Sequence, residues 1–470
     1  MRRLASLFGM ALLLVLPAAG ARAATPAPKA RRPPNIVVIV VDTLRADRLP
    51  FYGYSKPTAP FLARIAEESA VFDRALSTSS KTAPAAASLF SSLYPDHHGV
   101  LLGRLVTRRL ATEKDAEITL NRIPAAVDTL GEVMKRAGYS TWALSDNYNV
   151  CEDMGFAQGF DRFVSERSFN RGAGYVNGVL RGWRKEMLDR QPYFLYLHYM
   201  EPHSPYLENR KWYRFDPAGI SLTGADGRPV KPEEATSRAR AAARYDSEIG
   251  MVDSRIEEVS RHFGWDRNTL LIFTADHGEE FHDHGGESHG RTLFEEVVRI
   301  PLFFHDSSGR FLKGRIPEAV SLVDLLPTLT EIAGAEHQGF RHGRSLVPLL
   351  TGAPAEKEPA RSLFAQVEGY PYKEIPSANR RVISHFVVRA VFSGGWKLID
   401  DSRTGVALFR PGDDPAERFD LAERNPEVVA DLARQLAAFV AQAKAFDPES
   451  FVESLSPDDL RKLRSLGYVE

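Results

Sequence analysis

Asp276 and His277 stand side by side directly after the apolar run Thr269 to Thr274, and Asp42 directly follows a second such run, Asn35 to Val41. A carboxylate beside an imidazole is a half-site for Ca, Mn, Mg or Zn, and a further carboxylate strengthens it. Thr82, with Pro84 two residues on, sits where a helix should begin. Its hydroxyl is a poor nucleophile unless a metal or a base activates it, and a helix N-terminus favours both an alkoxide and a bound anion. His203 closely follows a third apolar run, Tyr193 to Met200, and the loop beyond Asp276-His277 carries Glu279, Glu280, His282, His284 and His289. Together these groups describe a hydrolase built on a divalent metal and an oxygen nucleophile. Thr82 is the residue that decides which hydrolase.

The elements that would position them alternate between strand and helix. Asn35 to Val41 is almost continuously β-branched, as in strands buried on both faces. Further strands are expected at Ser140 to Leu144, Tyr193 to Met200 and Thr269 to Thr274. Helices are expected from Pro60, from Thr82 towards Leu93, over Asp128 to Ala137 and over Tyr245 to Val259. This alternation implies an α/β domain with a large, mostly parallel sheet between helices. Ligands of such sheets bind beyond the carboxyl ends of the strands, where Asp42, His203, Asp276 and His277 all fall. After Gly334 the pattern changes. Short strands near Phe386 to Phe392, Trp396 to Ile399 and Ala407 to Phe409, a helix over Pro426 to Ala445 and a final short helix from Ser456 indicate a smaller α+β subdomain. The expected division is a catalytic domain over 35–355 and this C-terminal subdomain over 356–470.

The rest of the chain narrows the field. With 60 basic and 61 acidic residues the net charge is −1, which gives no electrostatic basis for nucleic-acid binding. Residues 1–23 read as a signal peptide: basic Arg2 and Arg3, an apolar stretch to Ala19, and Ala21-Arg-Ala23 as cleavage pattern. The stretch is too short for a stable span, and no second apolar run of that length follows. A periplasmic or secreted protein is expected, with 24–34 as a linker. Cys151 is the single cysteine, so no intramolecular disulfide can form; a buried, inert thiol is expected.

Several ordered motifs resemble those of the sulfatase family in the alkaline phosphatase superfamily. Asp42-Thr-Leu-Arg-Ala-Asp-Arg-Leu-Pro-Phe-Tyr-Gly53 resembles its opening metal motif, and Thr82-Ala-Pro-Ala-Ala-Ala-Ser-Leu-Phe-Ser-Ser-Leu-Tyr-Pro95 the signature around its nucleophile. Pro202-His-Ser-Pro-Tyr206, Phe273-Thr-Ala-Asp-His-Gly278, Ser321-Leu-Val-Asp-Leu-Leu-Pro-Thr-Leu329 and Leu466-Gly-Tyr468 are similar to others. The departures bear on function. The family's nucleophile is a cysteine or serine converted to formylglycine, followed by proline and arginine; here those positions hold Thr82 and Ala86. The second aspartate of its metal pair is Thr43, its Gly-Lys-Trp-His segment is Ser145 to Tyr148, and the lysine after Asp-His is replaced by His289.

Formylglycine hydrate carries a second hydroxyl that expels sulfate, which a threonine ester lacks; a phospho-threonine can instead be resolved by water. The resemblance therefore implies cleavage of a small anionic ester, with phosphate or phosphonate preferred, through a covalent Thr82 intermediate. Asp42, Asp276, His277 and the Thr82 oxygen would hold one divalent cation: Mn, Ca or Zn. His203 and His289 would stabilise transferring oxygens or protonate the leaving group. Asn147 would donate to the anion, and Arg45 would either meet substrate or form an ion pair behind Asp42. A second metal is disfavoured because Gly250 stands four residues after Asp246, where two-metal relatives place a histidine. The alternatives are a sulfuric ester hydrolase using unmodified threonine, and an anion- or glycan-binding pseudoenzyme.

Overall fold

Seven-residue runs without a single exposed side chain have only one stable home, a sheet covered on both faces. The computed structural model describes residues 33–104, 119–120, 122–165, 171–216, 229–353, 361–369, 372–375, 380–383, 385–445 and 453–454. The expected signal peptide, most of the linker, the final helix and the Leu466 motif lie outside them. The described residues belong to one compact unit, Pro33–Glu470. In chain order, its main strands and helices begin with β1 (Asn35–Val41), α1 (Pro60–Glu67), β2 (Ala70–Leu76), α2 (Thr82–Ser91), α3 (Leu130–Arg136), β3 (Ser140–Ser145) and β4 (Arg162–Ser165). There follow α4 (Ala173–Asp189), β5 (Tyr193–Tyr199), α5 (Pro232–Phe263), β6 (Thr269–Ala275), β7 (Leu302–Asp306), β8 (Gly314–Ser321) and α6 (Leu325–Ala333).

The sheet runs β2-β7-β6-β1-β5-β3-β4, with β8 and the short strand Arg299–Ile300 both pairing with β2. From β6 to β4 every pairing is parallel, and β7 is antiparallel to both its neighbours. Helices α1, α4 and α5 pack together as one group and α2, α3 and α6 as another. β1, β5 and β6 are buried along their whole lengths. The mostly parallel α/β architecture expected from the alternation is therefore the one observed. The helix expected over Tyr245 to Val259 is longer, spanning Pro232–Phe263. Its first two turns carry a single buried residue, Ala235, and so lack the apolar stripe that marks a helix in sequence.

Register sets the height of the chemistry. Val41 pairs with both Tyr199 and Ala275. Asp42 and Asp276 therefore leave neighbouring strands, about 4.8 Å apart, at one level.

A second, antiparallel sheet contains β9 (Leu363–Gly369), β10 (Phe386–Ser393), β11 (Trp396–Asp401) and β12 (Gly405–Phe409), backed by α7 (Pro426–Ala445). It is tied to the first by a buried ionic knot. Lys397 of β11 is completely buried, with Nζ 2.8 Å from Glu417 Oε1 and 3.3 Å from Glu295 Oε1; Glu295 in turn accepts from Arg74 of β2 at 2.9 Å. Removing one partner from such a group leaves buried charge unpaired. Lys397→Met is expected to destabilise the protein by about 3–5 kcal/mol. The same change at Lys185, whose pair with Asp189 is exposed, should leave stability nearly unchanged. Denaturant midpoints of the two variants check this.

Candidate metal centre and active site

Asp42 and Asp276 each have one carboxylate oxygen fixed and one left bare. Asp42 Oδ2 accepts from Asn147 Nδ2 and lies 3.2 Å from His198 Nε2, whereas its Oδ1 is buried without a hydrogen-bond partner. Asp276 Oδ1 accepts backbone N–H groups from Thr43 (3.1 Å) and His277 (2.8 Å), and its Oδ2 is likewise buried and bare. His277 Nδ1 lies 2.9 Å from the Gly278 carbonyl, to which it can only donate, so Nε2 presents its lone pair. Ligand atoms of Asp42, Asp276 and His277 all lie within 4.8 Å of one another. Thr82 Oγ1 lies 3.3 Å from His277 Nε2. Orphaned buried carboxylate oxygens are costly unless a cation meets them, so this donor set fits one divalent metal.

The backbone makes these positions. Thr43 adopts φ +54, a left-handed conformation uncommon for threonine, and so turns its N–H onto Asp276; its carbonyl accepts from Tyr245 Oη at 2.7 Å. Gly278 passes so close to the Glu296 carbonyl that a Cβ would sit 2.0 Å from it. Thr82 is the first residue of α2, and Lys81 before it is extended. The free N–H groups of that first turn point towards the nucleophile oxygen's end of the helix.

Two imidazoles complete the mouth. The His289 ring lies tilted beside His277 (ring centroids 4.5 Å) and 5.1 Å from the half-buried His203. His289 Nδ1 lies 3.0 Å from Glu279 Oε1, and Tyr206 Oη donates to Glu279 Oε2 at 2.8 Å. Burial alone would lower the His289 imidazole, but the Glu279 carboxylate outweighs it and leaves His289 raised, the direction needed in a proton donor. Burial lowers His277 despite Asp276, which keeps it a neutral ligand. Burial alone would raise Asp42, but chiefly the hydrogen bond from His198 holds it well below the usual carboxylate range.

Asp42, Thr82, Asp276, His277, His203 and His289 are thus brought together at one end of the sheet. Of the two residues considered for substrate contact, Arg45 takes its ion-pair alternative and Asn147 faces Asp42. All five N–H donors of the buried Arg45 guanidinium are taken: two by Asp47 (2.9 and 2.7 Å), two by Asp283 (2.7 and 3.2 Å) and one by the Glu279 carbonyl (3.0 Å). Arg45 braces the loop behind the site and has nothing left for an anion. Asn147 Nδ2 faces Asp42 and Met200 Sδ, so the amide serves the carboxylate instead of an anion. His282 and His284 pair with Glu287 and Glu296 away from the centre. Asp246 is bound by Tyr54 Oη at 2.6 Å and Lys56 at 3.2 Å. Gly250 admits the Trp212 ring, which a Cβ would meet at 2.5 Å, so a histidine there would displace the indole. Cys151 is buried, as expected.

Sequence reasoning missed His198 altogether. The signal was there: one histidine in the otherwise apolar, fully buried strand Tyr193–Tyr199. It pairs with Val40, which shares a face with Asp42 by the two-residue period.

The segment carrying His203 rests on buried acids. Glu248 accepts from Leu207 N at 3.0 Å, and Glu201 from Ala173 N at 3.0 Å. Burial, with Glu201 adding repulsion, pushes the Glu248 carboxyl up from 4.5 to about 8.

The chain matches the Sulfatase family over residues 34–335. It is 25% identical over 417 residues to the multifunctional alkaline phosphatase superfamily protein PehA of Trinickia caryophylli, covering 68% of this chain and 78% of that one. It is 24% identical over 498 residues to the choline-sulfatase of Rhizobium meliloti, covering 91% and 90%. Among solved structures it resembles the phosphonate monoester hydrolase of Agrobacterium radiobacter, with a TM-score of 0.64 at 18% identity over 90% of this chain and 100% of that one. Among the described residues no helix is long and apolar enough to cross a membrane.

The folded state holds the Glu248 proton more tightly than the unfolded chain, so this group's contribution to stability falls as pH rises from about 4.5 towards about 8. Glu248→Gln keeps an acceptor for Leu207 and removes the ionisation. Calorimetric melting temperatures across that range should fall less steeply for the variant than for the parent.

Proposed function

This chain belongs to the sulfatase family and is an ester-hydrolysing enzyme, and we propose that it cleaves a phosphate or phosphonate ester through a covalent phospho-Thr82 intermediate. The observation that carries this reading is the Thr82 hydroxyl, 3.3 Å from Nε2 of His277, a residue whose ligand atom lies within 4.8 Å of those of Asp42 and Asp276. A divalent cation held by Asp42 Oδ1, Asp276 Oδ2, His277 Nε2 and Thr82 Oγ1 would lower the hydroxyl pKa and act as a Lewis acid towards the substrate anion.

Thr82 Oγ, its proton given up to solvent beforehand, attacks phosphorus as the alkoxide; the P–Oγ bond forms and the bond to the leaving oxygen breaks. The leaving oxygen takes a proton from His289, which Glu279 orients and keeps charged, and His203 hydrogen-bonds the transferring oxygens. In the second step His289, now neutral, accepts a proton from water as water attacks phosphorus. The P–Oγ bond breaks and Thr82 is regenerated.

Phosphorus is favoured over sulfur because an unmodified threonine has no second hydroxyl with which to expel sulfate. The position where the family carries an arginine is Ala86, buried within α2. The likeness to a phosphonate monoester hydrolase and to a multifunctional superfamily member agrees with this preference. The basic and apolar segment Arg2 to Ala23 supports export to the periplasm or exterior.

Thr82→Ala is expected to lower kcat/KM on a phosphonate or phosphodiester by about 10³-fold or more, and Thr82→Ser to retain more activity than Thr82→Ala. Intact mass after incubation with a reactive phosphodiester should show a phosphoryl adduct that Thr82→Ala lacks. Turnover of sulfate esters alone across a panel of aryl sulfates, phosphodiesters and phosphonates would overturn the preference for phosphorus.

A further inference from the structure

Asp42 is the metal-type carboxylate whose two oxygens are separated by side chains alone. Its Oδ2 is enclosed by Asn147 Nδ2 and His198 Nε2, the latter at 3.2 Å, and Oδ1 is left bare. His198 is completely buried, and its Nδ1 lies 2.9 Å from the hydroxyl of Tyr196, which is completely buried too. A hydroxyl hydrogen, one imidazole hydrogen and a carboxylate leave one consistent order: Tyr196 O–H donates to Nδ1, and Nε2–H donates to Asp42 Oδ2. Tyr196 and His198 are two apart on β5 and so share a face. Register aligns His198 with Val40 on one side and Ser145 on the other, beneath Asp42 and Asn147. A phenylalanine would fill the same space, so packing alone does not require an imidazole here.

Resting on the metal reading above, we propose that His198 is a positioning residue for the cation: held by Tyr196, it fixes Asp42 so that Oδ1, and not Oδ2, faces the metal. The second nitrogen is occupied by Tyr196, so His198 cannot swing to ligate in place of Asp42. Losing an outer hydrogen bond of this kind weakens metal binding by about 10–100-fold. Asn147 still holds Oδ2, which sets the expected effect near the lower end of that range.

The test uses the full-length protein, stripped by a chelator and titrated with Mn²⁺, Ca²⁺ and Zn²⁺ in turn against a chromogenic competitor. The parent should bind one equivalent of its preferred ion, and His198→Phe should bind that ion about tenfold or more weakly. His198→Gln, which keeps a donor at similar reach, should recover part of the loss. Tyr196→Phe should weaken binding in the same direction yet add little on top of His198→Phe, because the tyrosine acts through the histidine. Near-ultraviolet circular dichroism identifies folded variants; if His198→Phe does not fold, Tyr196→Phe and His198→Gln carry the test. Folded variants that bind as tightly as the parent would overturn the proposal, as would a Tyr196→Phe loss that adds in full to that of His198→Phe. A parent that binds none of the three ions would instead overturn the metal reading itself.

Discussion

Two buried carboxylates brought close together repel each other, and the fold holds them there. With ligand atoms of Asp42 and Asp276 within 4.8 Å, the repulsion between full charges is roughly 3–4 kcal/mol at an effective dielectric near 20. The register of β1 between β5 and β6 creates that closeness, and the surrounding donors make it specific. Backbone N–H groups occupy one oxygen of Asp276, and side chains occupy one oxygen of Asp42. What remains is a pair of bare oxygens beside an imidazole lone pair and a hydroxyl. A cation relieves the repulsion and satisfies every orphan at once.

The rest of the molecule keeps that arrangement rigid. Arg45 ties the loop after the Asp-His pair to the turn after β1 with all five of its donors. The antiparallel sheet reaches the start of α2: Lys81, next to Thr82, donates to the Glu368 carbonyl of β9 at 2.5 Å, and Gln366 N donates to the Thr78 carbonyl at 2.8 Å. The C-terminal strands therefore buttress the start of α2. Lys397 and its acids join the two sheets from the other side of that contact.

Much of this was legible in sequence, and the limits have physical causes. The central strands announce themselves because burial on both faces forces continuous apolar runs, and the groups just beyond them, Asp42, Asp276 and His277, could be placed at one edge by topology alone. Thr82 was readable as a helix start. The strands β2, β7, β8 and β9 were not anticipated: β2 is interrupted by the half-buried Asp73 and Arg74, and β8, at the margin of the sheet, is largely exposed and contains Pro317. Asn147 was expected at the anion because its amide can donate, and for Arg45 substrate contact and an ion pair behind Asp42 both stood open. Only three-dimensional bookkeeping of donors shows that Arg45 is saturated and that Asn147 serves Asp42. His198 went unnoticed because a histidine inside an apolar strand usually signals packing, and its role depends on a cross-strand register that spacing cannot reveal.

The account turns on which atoms are left bare, so the most direct measurement is anomalous diffraction from crystals of the full-length protein grown with Mn²⁺. A single strong peak ringed by Asp42 Oδ1, Asp276 Oδ2, His277 Nε2 and Thr82 Oγ1 is the predicted result. No peak there, or an ion bound without the Thr82 oxygen among its ligands, would contradict it.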